Sequence, residues 1–546
     1  MRGSAHRSLT VVRWLQFGVA ATGMGIALAA APGTAHADDS TGAHSASSAG
    51  HHKPRSAADK PTSARPAAAT RSRPIAAISA ARVAARPVAT VVGSAKRQQA
   101  SPLSAPLTTS SQTLPDAVNG LLYSVANLLS VLPQGPITYI AESTLYLVRR
   151  TLFPASVGVI TTPITVPLYF TAIDSDGDGT ADTKKLGIYA TLGNGAKPKL
   201  FEFDTGASGF FAAYASNDPH TSDWWGNGVK GSTTLVSRGD DSGITYSGVA
   251  ANTTVSLFAQ GNSLPLTSTG SVQVGQANLI TNGDTNLWTP SGTTISGGID
   301  PPPVEKAFYG DFGVGTNYEA DGITSLLSQF TFGNGISPGF IVHVDDQSQQ
   351  AWVQIGLTAA DLQNPSTSFF VMDPDESAKG NTVPNSDVRF YKQQLIKAKI
   401  NISDGSTPVV TDSKVKVVLD TGAATTVHNT DKSSEAADYD QILVPSHDDA
   451  KKGVLAGNLT FSLKGTTTAG QHETFFTVTT TTDRQQEDQT TQVIKFQNDK
   501  AAADIDSDKA KYYLNSGIQF FYHYDVVYDL GNSAGGGQLG LAPQTT

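Results

Sequence analysis

Two tripeptides carry the pattern in this chain that could do chemistry. Asp204-Thr205-Gly206 follows the apolar-alternating run Phe201-Glu202-Phe203, and Asp420-Thr421-Gly422 follows Val417-Val418-Leu419. A single Asp-Thr-Gly means little, because Asp and Gly are ordinary turn residues. Two copies behind matching apolar runs, one in each half of a β-rich stretch, point to a duplicated loop. If like half-structures meet about a pseudo-twofold axis, the two side chains converge on the floor of a cleft. Carboxylates ~3 Å apart cannot both ionise, so such a pair shares one proton. The ionised member takes a proton from a water held between them, and the protonated member donates to a scissile carbonyl. The pair titrates as a unit, so the sequence leaves open which Asp is the acid. Thr205 and Thr421 are expected to tie the loops together through hydroxyl-to-backbone hydrogen bonds. Gly206 and Gly422 let the backbone pass close to the carboxylates.

Positioning two such loops requires a large framework. The chain has 546 residues, more than one hydrophobic core usually fills. From about residue 160 onward, short apolar runs rich in Val, Phe and Thr alternate with Gly/Asn/Asp turns, the pattern of an all-β fold. Polar, turn-rich residues 360–388 mark a boundary between an N-terminal lobe (161–375) and a C-terminal lobe (376–546). Within the first lobe the pattern predicts a short helix over 322–330 and strands over 340–344 and 351–355. Ahead of the lobes, residues 113–160 read as a helical segment, with Val118, Leu121, Leu122 and Val125 at helical spacing. That segment either docks on the β framework or covers a cleft as a prosegment.

The N-terminus reads as an export signal over 1–37. Arg2, Arg7 and Arg13 precede an apolar stretch, and Ala35-His36-Ala37 supplies a small-x-small cleavage site. A lone membrane anchor is the competing reading, disfavoured by the glycines in the stretch and by the cleavage site. No later segment is long and apolar enough to span a bilayer. Residues 38–112, rich in Ala, Pro, Ser and Arg, have too few large apolar side chains to offset the entropy of ordering and read as a disordered linker. These features place the protein outside the cell or in its envelope.

Composition excludes several chemistries. A net charge of −9, with no basic stripe in the β region, argues against nucleic acid as a partner. The absence of cysteine excludes disulfides, a thiol nucleophile and thiolate metal sites. The histidines, His343 and His523 among them, have no metal-ligand spacing, and no Gly-x-Ser-x-Gly element marks a serine hydrolase. Trp224-Trp225 could line a subsite, although packing under a loop is the commoner role for such a pair. Asp174, Asp176, Asp178 and Asp182 lie at the spacing of a calcium loop, which would hold a structural calcium. The loop has Lys185 where position 12 needs an acid and lies between two expected strands, so a plain acidic hairpin turn competes.

With these residues in view, the region 165–546 resembles the pepsin-like aspartic proteases. Gly243-Ile244-Thr245-Tyr246-Ser247-Gly248 is similar to the family's flap, a hairpin whose tyrosine closes over the substrate. Gly310-Asp311-Phe312-Gly313 stands where the family has a hydrophobic-hydrophobic-Gly element, and Gln538-Leu539-Gly540-Leu541 is similar to its last strand. The exported chain with its Ala/Pro linker is most similar to mycobacterial aspartic proteases of the PE cleavage protein A type, with a signal peptide instead of a PE domain. The resemblance implies a bilobal fold and Asp204 and Asp420 as catalytic carboxylates. It also implies a monomeric endopeptidase of protein or peptide substrates that requires no cofactor. A binding or inhibitor module on the same fold is the alternative, and loss of one Asp would be its mark. Two departures stand out. Ala207 and Ala423 replace the hydroxyl residues that usually hydrogen-bond the outer carboxylate oxygens, which predicts a pH optimum less acidic than a gastric enzyme's. Asn515-Ser516-Gly517 occupies the second hydrophobic-hydrophobic-Gly position imperfectly.

Overall fold

The computed structural model describes residues 159–544, apart from 175–180, 182, 196, 217–220, 222, 241, 263, 293–300, 334, 379–387, 430–438, 447–448, 499–511 and 532–536. The export signal, the linker, Asp176, Asp178, Asp182 and all but the last two residues of the expected helical segment lie outside the described residues. Those last two, Val159–Ile160, form a strand that pairs in parallel with Thr331–Phe332. The β framework therefore begins before residue 161. Among the described residues the α-helix is a single turn, Ala359–Leu362, closed by a capping box between Thr358 and Asp361. The rest is strands, turns and short 3-10 segments, as expected of an all-β chain, with most strands in a 16-stranded and a 10-stranded sheet.

Two strand motifs with the same order and sense form the frame. Lys199–Asp204 runs parallel to Gly310–Val314, which is antiparallel to Ser208–Ala213. Ser208–Ala213 is in turn parallel to Val272–Asn282, which pairs antiparallel with Ile244–Thr253. In the second half Thr407–Val418 runs parallel to Tyr512–Asn515, which is antiparallel to Thr426–Asn429. Thr426–Asn429 is parallel to Lys495–Asn498, which pairs antiparallel with Asp449–Leu455. The duplication read from two tripeptides thus extends over five strands on each side.

Alternation explains why these runs become strands. Phe201 and Phe203 turn to one face and Glu202 and Asp204 to the other, the period of two that a strand imposes. The phenylalanines are fully buried and meet Phe210 and Phe312, with ring centroids 4.9 Å apart for Phe201–Phe210 and for Phe210–Phe312. Each buried ring contributes about 1.5–3 kcal/mol, so the strand ending in Asp204 is anchored by the side chains flanking it.

Two expectations are corrected here. The C-terminal strands do not stay with the second half. Tyr524–Asp529 pairs with Ser337–Asp345, and Gln538–Pro543 lies between Tyr524–Asp529 and Ser368–Val371. All belong to the 16-stranded sheet that carries Asp204, while Asp420 follows a strand of the 10-stranded sheet. A sheet pairs by edge and register, not by position in the chain, so assigning all of 376–546 to one lobe is too simple. The stretch 322–330 is mostly turn, with only a 3-10 turn at Leu327–Gln329. Gly322 has φ +79, and Asp321 accepts the Ile323 N–H at 2.9 Å, both of which divert the chain from a helix start.

Candidate active site

The two Asp-Thr-Gly loops meet. Thr421 Oγ1 accepts the Thr205 N–H at 3.1 Å and donates to the Phe203 carbonyl at 2.7 Å. Reciprocally, Thr205 Oγ1 accepts the Thr421 N–H at 3.0 Å and donates to the Leu419 carbonyl at 2.8 Å. Both threonines are buried. The four bonds use the one proton of each hydroxyl and clamp one loop to the other, the role their type and position predict.

Behind this clamp the carboxyls of Asp204 and Asp420 line one cavity, each packed against the glycine of the other loop. A Cβ on Gly206 would stand 2.2 Å from the carboxyl carbon of Asp420, and one on Gly422 would stand 2.7 Å from Asp204 Oδ2. Only glycine leaves room for such an approach. Gly206 N–H donates to Asp204 Oδ1 at 2.6 Å, and Gly422 N–H to Asp420 Oδ1 at 2.7 Å.

Beyond these shared bonds the two sides differ. Asn515 Nδ2 donates to Asp420 Oδ2, and Ser516 Oγ accepts the Asp420 N–H at 3.2 Å. The imperfect Asn515-Ser516-Gly517 element thus supplies the donor that Ala423 lacks. The sequence signal was there: a polar residue at an apolar position of the strand parallel to the one leading into Asp420. Asp204 is placed otherwise. Burial, reinforced by Asp420 and then by Asp311 and Glu202, holds its carboxyl well above the usual carboxylate range.

The dyad opens into a cavity of about 220 Å³, also lined by Arg238, Asp240, Tyr246, Asp311 and Glu319. Sequence reasoning named Tyr246 as a flap side chain closing over the substrate. The structure puts it on the inward face of Ile244–Thr253, with Ile244 and Ala250, and leaves it 1 % exposed. Strand alternation dictates this, because residue i+2 from a buried Ile244 must also turn inward. Tyr246 therefore reaches the cavity as a buried wall residue, its ring centroid 6.1 Å from that of Phe211.

Sequence reasoning missed a buried charged cluster beside Asp204. Asp311 is in register with Glu202 on the parallel neighbour strand, so the two acids share a face with Asp204. Lys185 Nζ lies 2.8 Å from Glu202 and 2.9 Å from Glu305. Burial opposes the Lys185 charge, but the two carboxylates outweigh it and hold the ammonium above its ordinary range. Burial, with Glu305 and Asp240 nearby, pushes Glu202 the other way, up to about 7 despite Lys185. The two tendencies conflict over one ion pair. A desolvated ammonium with two oxygens within 3 Å requires an anion beside it, so we take the paired, charged state as the working one. Burial, with Glu202 and Asp240 nearby, also holds Asp311 well above the usual range. The signal for the cluster was the charge at Lys185, Glu202 and Asp311 within otherwise apolar strands.

The remaining candidate residues are elsewhere. Trp224 and Trp225 are buried, and both indole N–H groups donate to the Ala213 carbonyl, at 2.9 and 2.7 Å. They pack under a loop and do not reach the dyad. His343 stacks on Trp352 and bonds Asp525 at 2.6 Å, and burial lowers His523. Of the calcium-loop residues only Asp174 is described, and Lys185 turns inward to its carboxylates. Among the described residues no group of acids and histidines forms a metal site, and no helix is long and apolar enough to cross a membrane.

No family model matches this chain and no curated protein matches it. Among solved structures, the aspartic proteinase from Irpex lacteus is similar at 15% identity and a TM-score of 0.41, over 70% of this chain and 98% of that one.

Proposed function

We propose that the protein is an aspartic endopeptidase in which Asp204 and Asp420 activate a water between them. The observation that carries this reading is the reciprocal threonine clamp, which holds two duplicated loops together so that both carboxyls line one cavity. Asp420 accepts bonds on both oxygens, from Gly422 and from Asn515, and is assigned the part of general base. Asp204, buried beside other acids, holds the shared proton. Asp420 then takes a proton from the water as its oxygen attacks the scissile carbonyl carbon, and Asp204 donates its proton to the carbonyl oxygen. In the resulting tetrahedral diol the C–N bond breaks as the amine nitrogen takes a proton from Asp420. The Asp204 carboxylate recovers a proton from a diol hydroxyl, which restores the pair. No cofactor enters these steps, and one chain carries both aspartates, so a monomer suffices.

The reading includes export through residues 1–37, action on exported or cell-envelope proteins, and kinship with the mycobacterial PE cleavage protein A type. Both aspartates are retained with their Thr-Gly, which disfavours a binding-only module. The test is cleavage of a denatured protein by the full chain across pH 3–8, beside Asp204→Asn and Asp420→Asn. Cleavage is expected from the parent alone. Turnover that survives either substitution would sink the dyad mechanism.

A further inference from the structure

On the Asp204 side of the cavity two buried oxygens have no partner. The Tyr246 hydroxyl, on a residue 1 % exposed, makes no hydrogen bond, and neither does Oδ1 of Asp311, on a residue 3 % exposed. Both side chains line the cavity floored by the dyad. Leaving such a group unsatisfied costs about 1–3 kcal/mol, so two on the lining of one cavity call for a partner from outside. The protein's nearby cations are committed. Arg238 donates to the Ser208 carbonyl at 2.7 Å and pairs with Glu319 at 3.1 Å and Asp321 at 3.0 Å. Lys185 is held by Glu202 and Glu305, and Asp240 uses Oδ1 to accept N–H groups of Ser242 and Ile244 at 3.0 Å. Among the described residues of the lining, Asp240, Asp311, Glu319 and the dyad face one cation, Arg238, so the space is acidic. Asp311 also stands in the Gly310-Asp311-Phe312-Gly313 element, where an apolar residue is expected.

We propose that Asp311 and Tyr246 form a specificity seat for the ammonium of a substrate lysine adjoining the cleaved bond. Lysine suits the seat better than arginine. The unpartnered oxygens belong to two different side chains, which a compact ammonium with rotatable donors can serve together, whereas a guanidinium fork matches two oxygens of one carboxylate. A norleucine of similar length would leave both oxygens buried and unpaired. Sites built to hydrogen-bond a polar group discriminate strongly against analogues that lack it. The inference rests on the cavity being the substrate cleft of the proposed endopeptidase.

The test uses the full chain and peptides that differ only in the residue flanking the cleaved bond: lysine, arginine, norleucine or glutamate. The lysine peptide is expected to exceed the norleucine peptide by roughly 100-fold in kcat/KM. That ratio should fall to within ~3-fold in Asp311→Leu and by ~10-fold in Tyr246→Phe, the size of losing one of two partners. Equal rates for lysine and norleucine in the parent, or a lysine preference that persists in Asp311→Leu, would overturn the seat. Circular dichroism checks folding, and if Asp311→Leu fails it, Asp311→Asn and Tyr246→Phe decide by the same ratio. Failure of the parent to cleave any peptide refutes the endopeptidase reading and not the seat. Calorimetric binding of the uncut lysine and norleucine peptides then decides, with tighter lysine binding that Asp311→Asn abolishes as support and equal affinities as refutation.

Discussion

The strands behind Asp204 and those behind Asp420 follow one plan of hydrogen bonding but differ in what they carry. Lys199–Asp204 and Gly310–Val314 bring Glu202 and Asp311 onto the face of the first aspartate. Tyr512–Asn515 brings the amide of Asn515 to the second. The main chain therefore supplies the symmetry that brings the two loops together, and a few side chains break it. Two aspartates in identical settings would share the proton evenly, whereas here acids crowd one and an amide steadies the other.

The largest effects should fall where the halves are equivalent. Asp204→Asn and Asp420→Asn are each expected to lower kcat/KM by roughly 10²–10⁴-fold, the range of acid–base catalysis. A half that keeps working alone would break the comparison. Next, Gly206→Ala should cost roughly 10²-fold in kcat, because its Cβ meets the Asp420 carboxyl at 2.2 Å and must displace it. Gly422→Ala, whose nearest oxygen is 2.7 Å away, should cost less, and the ratio of the two rates measures how tightly each carboxyl is held. Thr205→Val and Thr421→Val should each destabilise by about 1–3 kcal/mol in thermal unfolding, since each strands a buried donor and a carbonyl across the interface. Matching losses would confirm the clamp as the symmetric part.

Smaller effects probe the asymmetric part. Asn515→Leu removes a donor to the ionised member of the pair, so the acid limb of the kcat/KM profile should move up by ~1 pH unit. An unmoved limb would mean that Asn515 only fills space. Stability should also depend on pH in one sense. Asp204, Asp240 and Asp311 are all raised by burial. Their folded forms bind protons that the unfolded chain releases near pH 4, so their contribution is complete below that pH and is lost as pH rises through the folded values. Melting temperature should therefore fall as pH rises from 5 to 8, and Asp311→Asn should flatten that slope.

How much of this could be read from the sequence depended on whether the signal was local. Asp-Thr-Gly behind an apolar strand is contained in a few consecutive residues, and the pairing of Thr205 with Thr421 followed from having two copies. Period-two alternation gave the all-β class. What alternation cannot encode is the partner of a strand, so the return of Tyr524–Asp529 to the Asp204 sheet was out of reach, as was the contact of Asn515 with Asp420, 95 residues apart. Tyr246 shows a third limit. A motif resemblance placed it on a hairpin, which the structure has, whereas the burial that its neighbours Ile244 and Ala250 share with it is not contained in that resemblance.

The last strands have a consequence in time. Ser337–Asp345 waits for Tyr524–Asp529, and His343 for Asp525, 182 residues later. Pairings this distant close slowly, because the loop entropy is lost before the contacts are gained. The sheet bearing Asp204 is left with an open edge until Tyr524–Asp529 joins it. A chain cut before Tyr524 would leave that sheet unfinished, so the framework around the first aspartate waits on strands made long after it.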